Sequence, residues 1–335
     1  MKRLLLFLIV CNLIPLTLRS QQSMTLMFLN TENLFDPEDD PLKDDDDYTP
    51  DGIYHWTRSR YRDKLDAVSK IIVAADQEQA PALVGLCEVE NGTVLTDLTA
   101  HSALREAGYR FVMTDSPDRR GIDVALLYRR SYFRLIAHES LRVDLRSNGG
   151  GATRDILHVT GVLENHDTLD IYVCHWPSRY GGVEQSEPLR MSVARRLRAS
   201  VDSVFNVRRK PYIVIMGDLN EGPDDPAVRS GLSARPRSKG SQAGDRELIT
   251  VTDHLENGSY KYDGVWDRYD QFILSASFTN GLGCTELLGA EYMALPFLLT
   301  DDDSYGGVKP FRTYNGRRYQ GGYSDHLPVK IVVGF

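Results

Sequence analysis

Cysteine is scarce, four in 335 residues, so disulfides cannot be the framework of this chain. Past the first twenty residues no apolar run approaches the ~20 residues a helix needs to span a bilayer. The short signatures of several enzyme classes are also missing: there is no G-x-x-x-x-G-K-[ST] phosphate loop, no G-x-G-x-x-G, no G-x-S-x-G elbow, no H-E-x-x-H and no cysteine pair spaced for zinc. Basic residues are outnumbered, 39 Lys and Arg against 47 Asp and Glu, a formal charge of −8. A polyanionic substrate is therefore repelled by the overall field unless local cations reverse it at the site. No repeat, Pro/Ser linker or composition shift marks a domain boundary.

What is present starts with a leader. Lys2 and Arg3 precede an apolar run from Leu4 to Leu18, and Ser20 offers a small residue for cleavage, so residues 1–20 are read as a secretory signal. Residues 21–335 then form a single exported domain, periplasmic, surface-held or released. Loss of Lys2, Arg3 and Arg19 leaves 36 basic against 47 acidic side chains, a charge of −11. Cys11 goes with the leader, and Cys87 and Cys174, inside apolar strand-like runs, are expected to be buried thiols. Residues 39–51 hold seven aspartates, and without the alternating spacing of a calcium loop they read as a solvated, self-repelling loop.

Short runs rich in β-branched and aromatic residues predict strands at Thr25–Leu29, Ala82–Leu86, Val124–Tyr128, Leu157–Leu163, Leu169–Cys174, Tyr212–Met216, Gln271–Leu274 and Pro328–Val333. Apolar stripes at helical spacing predict helices over Arg58–Ala75 and Glu187–Val204, the second with Ser186 as N-cap and Pro188 in its first turn. Short links suggest two antiparallel pairs, Val124–Tyr128 with Tyr132–Val143 and Leu157–Leu163 with Leu169–Cys174. Strands and helices intermix without strict alternation, which favours an α+β sandwich of two mixed sheets flanked by helices.

Polar residues recur at the ends of these strands: Asn30 and Glu32 after LMFL, Glu88 and Glu90 after ALVGLC, His175 after DIYVC, Asp218 and Asn220 after YIVIMG, Asp325 and His326 before LPVKIVV. Singly, each has an ordinary explanation as a turn cap, a solvated strand end or a satisfied core histidine. Together they suggest one pocket, because a carboxylate beside buried strands needs a partner or a metal. Carboxylates with an amide make an oxygen-rich set suited to Mg²⁺ or Mn²⁺, and two histidines offer proton transfer or phosphate hydrogen bonding.

The strings LNTENLFD, LCEVEN, GIDVALLY, CHWPSRYGG, MGDLN, DRYDQFILS and YSDHLPV, in this order from Leu29 to Val329, resemble the endonuclease/exonuclease/phosphatase superfamily. Its members include pancreatic-type deoxyribonucleases, abasic-site endonucleases, bacterial sphingomyelinases and inositol-polyphosphate 5-phosphatases. The resemblance implies a four-layer α/β/β/α sandwich like that of deoxyribonuclease I and a metal-dependent phosphoric ester hydrolase. It implies metal-side roles for Asn30, Glu32, Glu88 and Asp325, with Glu88 the principal ligand. Asp218 would orient and deprotonate the attacking water beside Asn220, His326 would contact the phosphate with Asp270 fixing its tautomer, and His175 would protonate the leaving oxygen. Ser178 and Arg179 are candidate phosphate contacts.

Glu32 stands where several related nucleases carry aspartate, and no long hydrophobic hairpin of the membrane-acting kind is evident. The leading expectation is an exported, Mg²⁺-dependent phosphodiesterase, with Mn²⁺ or Ca²⁺ as alternatives, that hydrolyses DNA or RNA. Arg58, Arg60, Arg62 and Lys64, Arg235, Arg237 and Lys239, and Arg312, Arg317 and Arg318 are candidate phosphate-backbone contacts, with Tyr314 and Tyr319 as stacking residues; a solvated face explains the same stretches. A phosphatase or phospholipase C-like hydrolase of inositol phosphates, sphingomyelin or another small phosphoester is the alternative, and a non-catalytic binding relative a third.

Overall fold

The computed structural model describes residues 22–76, 78–237, 244, 246–279 and 285–335. The leader, Cys11, Lys239 and Cys284 lie outside the described residues.

The strands in chain order are β1 (Ser23–Leu34), β2 (Leu83–Val89), β3 (Arg110–Met113), β4 (Asp123–Tyr128), β5 (Phe133–Leu141), β6 (Ile156–Leu163), β7 (Thr168–His175), β8 (Tyr212–Asp218), β9 (Ala234–Pro236), β10 (Leu248–Thr250), β11 (Tyr260–Tyr262), β12 (Val265–Asp267), β13 (Asp270–Ser275), β14 (Glu286–Tyr292), β15 (Leu299–Asp301), β16 (Val308–Pro310), β17 (Tyr314–Asn315), β18 (Arg318–Tyr319) and β19 (Val329–Gly334). The α-helices are α1 (Arg58–Val73), α2 (Gly92–Ala100) and α3 (Val183–Val207). One sheet runs β14-β19-β1-β2-β4-β3 and the other β5-β6-β7-β8-β13-β10-β9. Both are mixed: β1 and β2 are parallel, as are β7 and β8, while β19, β4 and β13 pair antiparallel to their neighbours.

Three apolar layers hold the sheets and helices together. Phe28, Leu126, Val214, Met216, Phe272 and Ile331 lie between the sheets. Tyr61, Leu65, Val68 and Ile72, the stripe expected on α1, pack with α2 on the outer face of the first sheet. Val193, Leu197 and Val201 of α3 cover Ile213 and Ile215 of the second. Burial of each such side chain contributes ~1.5–3 kcal/mol, and strands covered on both faces read as unbroken apolar runs. The result is the helix, sheet, sheet, helix sandwich expected. Cys87 and Cys174 are buried free thiols, and burial pushes Cys174 up to about 12, so neither is a ready nucleophile.

Three local expectations need correction. β6 and β7 do form the expected antiparallel pair, but β4 and β5 do not pair; the short link between them carries the chain from one sheet to the other. Phe133 anchors that crossing between the sheets, and Gly161 is the residue that admits it, since a Cβ there would sit 2.1 Å from the ring. Helix α3 starts at Val183 after Gly181 and Gly182, both at positive φ, so Ser186 is inside the helix, where its hydroxyl accepts from Arg190 at 2.8 Å. In the aspartate-rich loop most carboxylates are exposed, but Asp45 is buried and accepts from the Asp40 amide at 3.1 Å.

Candidate active site

β1, β2, β7 and β8 all end at the same edge of the sandwich, and the antiparallel β13 and β19 begin there. Asn30, Glu88, His175, Asp218, Asp270, Asp325 and His326 are thereby gathered from a span of almost 300 positions. Register makes the arrangement tight: His175 pairs with Asp218 across β7–β8, and Asp218 with Asp270 across β8–β13. The ladder is interrupted at Glu88, between Cys87 and Val89, and after Asn30. Glu32, Asn33, Glu88 and Asn220 have φ between 48° and 59°, a conformation that side chains other than glycine adopt at a cost of order 1–3 kcal/mol. Such bulges turn a side chain out of the strand's alternation and aim it at a site.

At the centre, the His326 Nδ1 lies 2.6 Å from Asp270 Oδ2, and Nε2 lies 3.9 Å from Asp218 Oδ2. Asn30 Nδ2 donates to Asp218 Oδ2 at 3.1 Å, and the Asn220 amide to Asp218 Oδ1 at 2.9 Å. His175 Nε2 stands 3.8 Å from Glu88 Oε1 and 3.9 Å from Asp218 Oδ2. Glu88 Oε2 accepts from the Asn33 amide at 3.0 Å and lies 3.6 Å from Arg120. Asp325 accepts from Arg312 at 3.0 Å.

The two histidines are held in opposite charge states. Burial opposes a charge on His326, but Asp270 and Asp218 outweigh it and hold the imidazole well above its usual range. Burial together with Arg154, Arg120 and His326 keeps His175 well below its usual range, hence neutral. Asp218 is pushed up to about 7, first by burial and then by Asp270, against the pull of His326. A carboxylate at that value is poised to take a proton near neutral pH.

Asn30, Glu88, His175, Asp218, Asn220, Asp325 and His326 line a cavity of about 640 Å³, together with Arg120, Arg154, Ser178 to Val183, Tyr260, Tyr262 and Tyr269. Four of the expected site residues stand differently from the rest, among them Asp270, which is outside the lining and reaches the cavity through His326. Glu32 does not line the cavity; it accepts from the Thr313 and Tyr314 amides and lies 3.9 Å from Lys64. Arg179 lines it, yet its Nε donates to the Asn220 carbonyl at 2.8 Å and Nη2 to Asp225. Ser178 lines it with its hydroxyl 3.4 Å from the Tyr180 amide. Glu90 turns away, toward Asp36 and a separate acidic hollow.

Sequence reading missed Arg120, Arg154 and the tyrosine wall. Arg120 immediately precedes the GIDVALLY string and Tyr269 lies within DRYDQFILS, so proximity to a motif was the available signal. Arg154 had none, since only the β6 register brings it to the Trp176 carbonyl, to which it donates at 2.8 Å. Of the basic stretches, Arg58 pairs with Glu38, Lys64 is buried, Arg235 pairs with Glu247 and Arg312 is held by Asp325 and Glu32, while Arg62, Arg237, Arg317 and Arg318 are exposed. Tyr314 is buried and Tyr319 is covered by Arg60, 4.5 Å from its ring, so neither presents a free face for stacking.

The donor set suits a hard divalent cation. Glu88, Asp325 and Asn30 present oxygen donors to the cavity, and among the described residues Asp218, Asp270 and His326 bring one ligand atom each within 4.8 Å of one another. In that cluster His326 Nδ1 is already engaged by Asp270 at 2.6 Å, while Nε2 stands 3.9 Å from Asp218.

This edge-of-sandwich site, built from carboxylates, amides and an Asp-bonded histidine, defines a phosphoric ester hydrolase. The chain belongs to the Endonuclease/Exonuclease/phosphatase family, whose model matches residues 25–334. Among solved structures it is similar to zebrafish (D. rerio) TDP2 complexed with single strand DNA product, at 13% identity over 93% of this chain and 99% of that one, TM-score 0.56. A Bacteroides thetaiotaomicron mannosyl-6-phosphatase is similar at 15% identity over 93% and 100%, TM-score 0.56. The human Nocturnin catalytic domain with bound sulfate anion is similar at 13% over 94% and 96%, TM-score 0.54. No curated protein sequence matches the chain. Among the described residues no helix is long and apolar enough to cross a membrane.

Proposed function

We propose that the protein is an exported, divalent-metal-dependent phosphodiesterase that cleaves nucleic acid strands. Export rests on the leader sequence. The strand substrate rests on one observation: the catalytic cavity has an aromatic wall. Tyr260 stands 4.8 Å from the His326 ring and 5.7 Å from Tyr269, and the Arg179 guanidinium lies 4.8 Å from Tyr269. Such a wall beside a phosphate site suits ring-bearing groups, and stacking of a base contributes ~1–3 kcal/mol. Arg120 and Arg154 line the same cavity, 3.6 Å from Glu88 and 3.2 Å from Asp118 respectively.

In this reading Glu88, Asn30 and Asp325 would hold the ion, Mg²⁺ by the hardness of the donors, with Mn²⁺ or Ca²⁺ as substitutes. When bound, the ion neutralises charge on the phosphoryl oxygens. Asp218, fixed by Asn30 and Asn220, orients a water and takes its proton as the new P–O bond forms. His326, kept cationic by Asp270, hydrogen-bonds the phosphoryl group and holds the proton that the leaving alkoxide needs as the old P–O bond breaks. His175, kept neutral, serves as a hydrogen-bonding wall rather than as the stored acid. Glu32 supports the β17 turn from outside the cavity.

A second reading, a small sugar or inositol phosphoester, is favoured by the acidic net charge of −8, which repels a long polyanion more than a small one. Single-stranded DNA, RNA, duplex DNA, mannose 6-phosphate and inositol polyphosphates, each assayed with Mg²⁺, separate the two. Faster turnover of a nucleic acid, with kcat/KM lowered ~10-fold in Tyr260→Ala or Tyr269→Ala, is expected. Faster turnover of a small phosphoester would replace the strand reading.

A further inference from the structure

The fully buried Arg190 lies on α3, outside the cavity, yet it is bonded to both loops that shape the cavity's phosphate side. Its Nε donates to Glu221, its Nη1 to the Ser186 hydroxyl at 2.8 Å and the Ser178 carbonyl at 3.3 Å, and its Nη2 to the Val183 carbonyl at 3.3 Å. Glu221 follows Asn220 in the chain, and its backbone carbonyl accepts from Gln271 of β13 at 2.6 Å. Its second carboxylate oxygen lies 3.7 Å from Arg179, which itself donates to the Asn220 carbonyl. Asn220 is closed from the other side as well, its amide donating to the Trp176 carbonyl at 3.1 Å.

We infer that Arg190 and Glu221 are positioning residues for phosphoester hydrolysis: their buried ion pair locks the loop of residues 178–182 to the loop that begins at Asn220. Both side chains are almost wholly inaccessible, and a buried pair of this kind is often neutral or unfavourable for stability relative to an apolar pair of similar volume. A guanidinium that places its donors on one carboxylate, one hydroxyl, one loop carbonyl and the first carbonyl of α3 fixes geometry in a way no apolar side chain can. The backbone on either side touches substrate-facing residues: Ser178 and Arg179 line the cavity, and Asn220 holds Asp218. Displacement by about 1 Å of groups such as these costs on the order of 100-fold in rate.

The inference rests on the phosphoesterase reading, so its test carries a readout independent of turnover. Wild type, Arg190→Lys, Arg190→Met and the double variant Arg190→Met/Glu221→Leu are compared by thermal unfolding, by calorimetric binding of inorganic phosphate with Mg²⁺ present, and by kcat and KM on bis-p-nitrophenyl phosphate. Arg190→Met alone strands the Glu221 carboxylate and is expected to lower Tm. The double variant is expected to unfold within a few degrees of wild type, to bind phosphate ~10-fold more weakly and to lose ~10- to 100-fold in kcat/KM, mostly in kcat. Arg190→Lys, which keeps the charge but not the fork, is expected to fall between. Should the double variant not fold, Ser186→Ala, which removes a neutral contact to Arg190, serves instead, with a two- to threefold loss in phosphate affinity and kcat at unchanged Tm. A folded double variant, or failing that Ser186→Ala, with wild-type phosphate affinity and kcat overturns the inference. Phosphate binding weakened in the variants while wild type hydrolyses no ester would support the network and reject the hydrolytic reading.

Discussion

Two buried aspartates in neighbouring strands of one sheet, Asp170 in β7 and Asp218 in β8, have opposite fates. Asp170 accepts from Thr160 at 2.6 Å and from Arg208 through two nitrogens at 2.8 and 3.1 Å, and it pairs with His158 at 3.2 Å. Burial opposes its charge, but these partners outweigh it and hold the carboxyl down at about 2. Asp218 has two neutral donors, a histidine cation at 3.9 Å and a second carboxylate across the ladder, and burial pushes it up to about 7. Both side chains are almost wholly inaccessible to solvent, and their partners differ. A buried carboxylate given every partner is structural, whereas one left short of partners at a cavity is set to exchange a proton or meet a cation.

The largest expected departures come from the reactive cluster. His326→Ala is expected to cut kcat by ~10²–10⁴-fold, and Asp270→Asn by a similar factor, with phosphate affinity weakened more by the first. Steady-state kinetics beside a thermal melt checks both, and activity retained in either with the fold intact would contradict the assignment. Asp170→Asn is expected to do the reverse: a loss of ~3 kcal/mol in unfolding free energy, since Arg208 and His158 lose their common partner, and an unchanged kcat. Urea unfolding read beside the same assay makes that comparison.

The pH dependence of this structural cluster has a definite sign. Asp170 is lowered on folding, so its contribution is present above the unfolded value of ~4 and fades as pH falls toward 2. Burial opposes charge on His158 too, but Asp170 and Glu139 raise it above its usual range, so its share is present below ~6.5 and is lost as pH rises through the folded value. The stability gap between wild type and Asp170→Asn is therefore widest between about pH 5 and 6 and narrows on both sides. A gap that grows steadily with alkali would reject this account. The smallest effect belongs to the exposed Arg58–Glu38 pair, where Arg58→Ala is expected to change stability by less than ~1 kcal/mol.

Most of the fold was legible because strands covered on both faces leave continuous apolar runs, as in YIVIMGD of β8, and α1 shows its stripe directly. The site was legible for a related reason: polar residues that follow such runs stand out. The sheet assignment of β5 was not legible, because a short link looks the same whether it turns a hairpin or crosses between sheets, and only the space left at Gly161 decides. Glu32 followed the same strand-end pattern as Asn30, but the bulge in β1 turns its carboxylate toward the Thr313 and Tyr314 amides. Arg154 and Arg190 reach the site's surroundings from β6's approach and from α3. Their roles depend on tertiary distances that no local pattern encodes.

The most direct test of the central claim is hydrolysis of bis-p-nitrophenyl phosphate by the full-length folded protein with Mg²⁺ or with EDTA, set beside Asp218→Asn. The account predicts turnover with the metal, its loss with the chelator, and a fall of ~10³-fold or more in Asp218→Asn at undiminished thermal stability. Equal turnover with EDTA, or an Asp218→Asn variant as active as wild type, would contradict it.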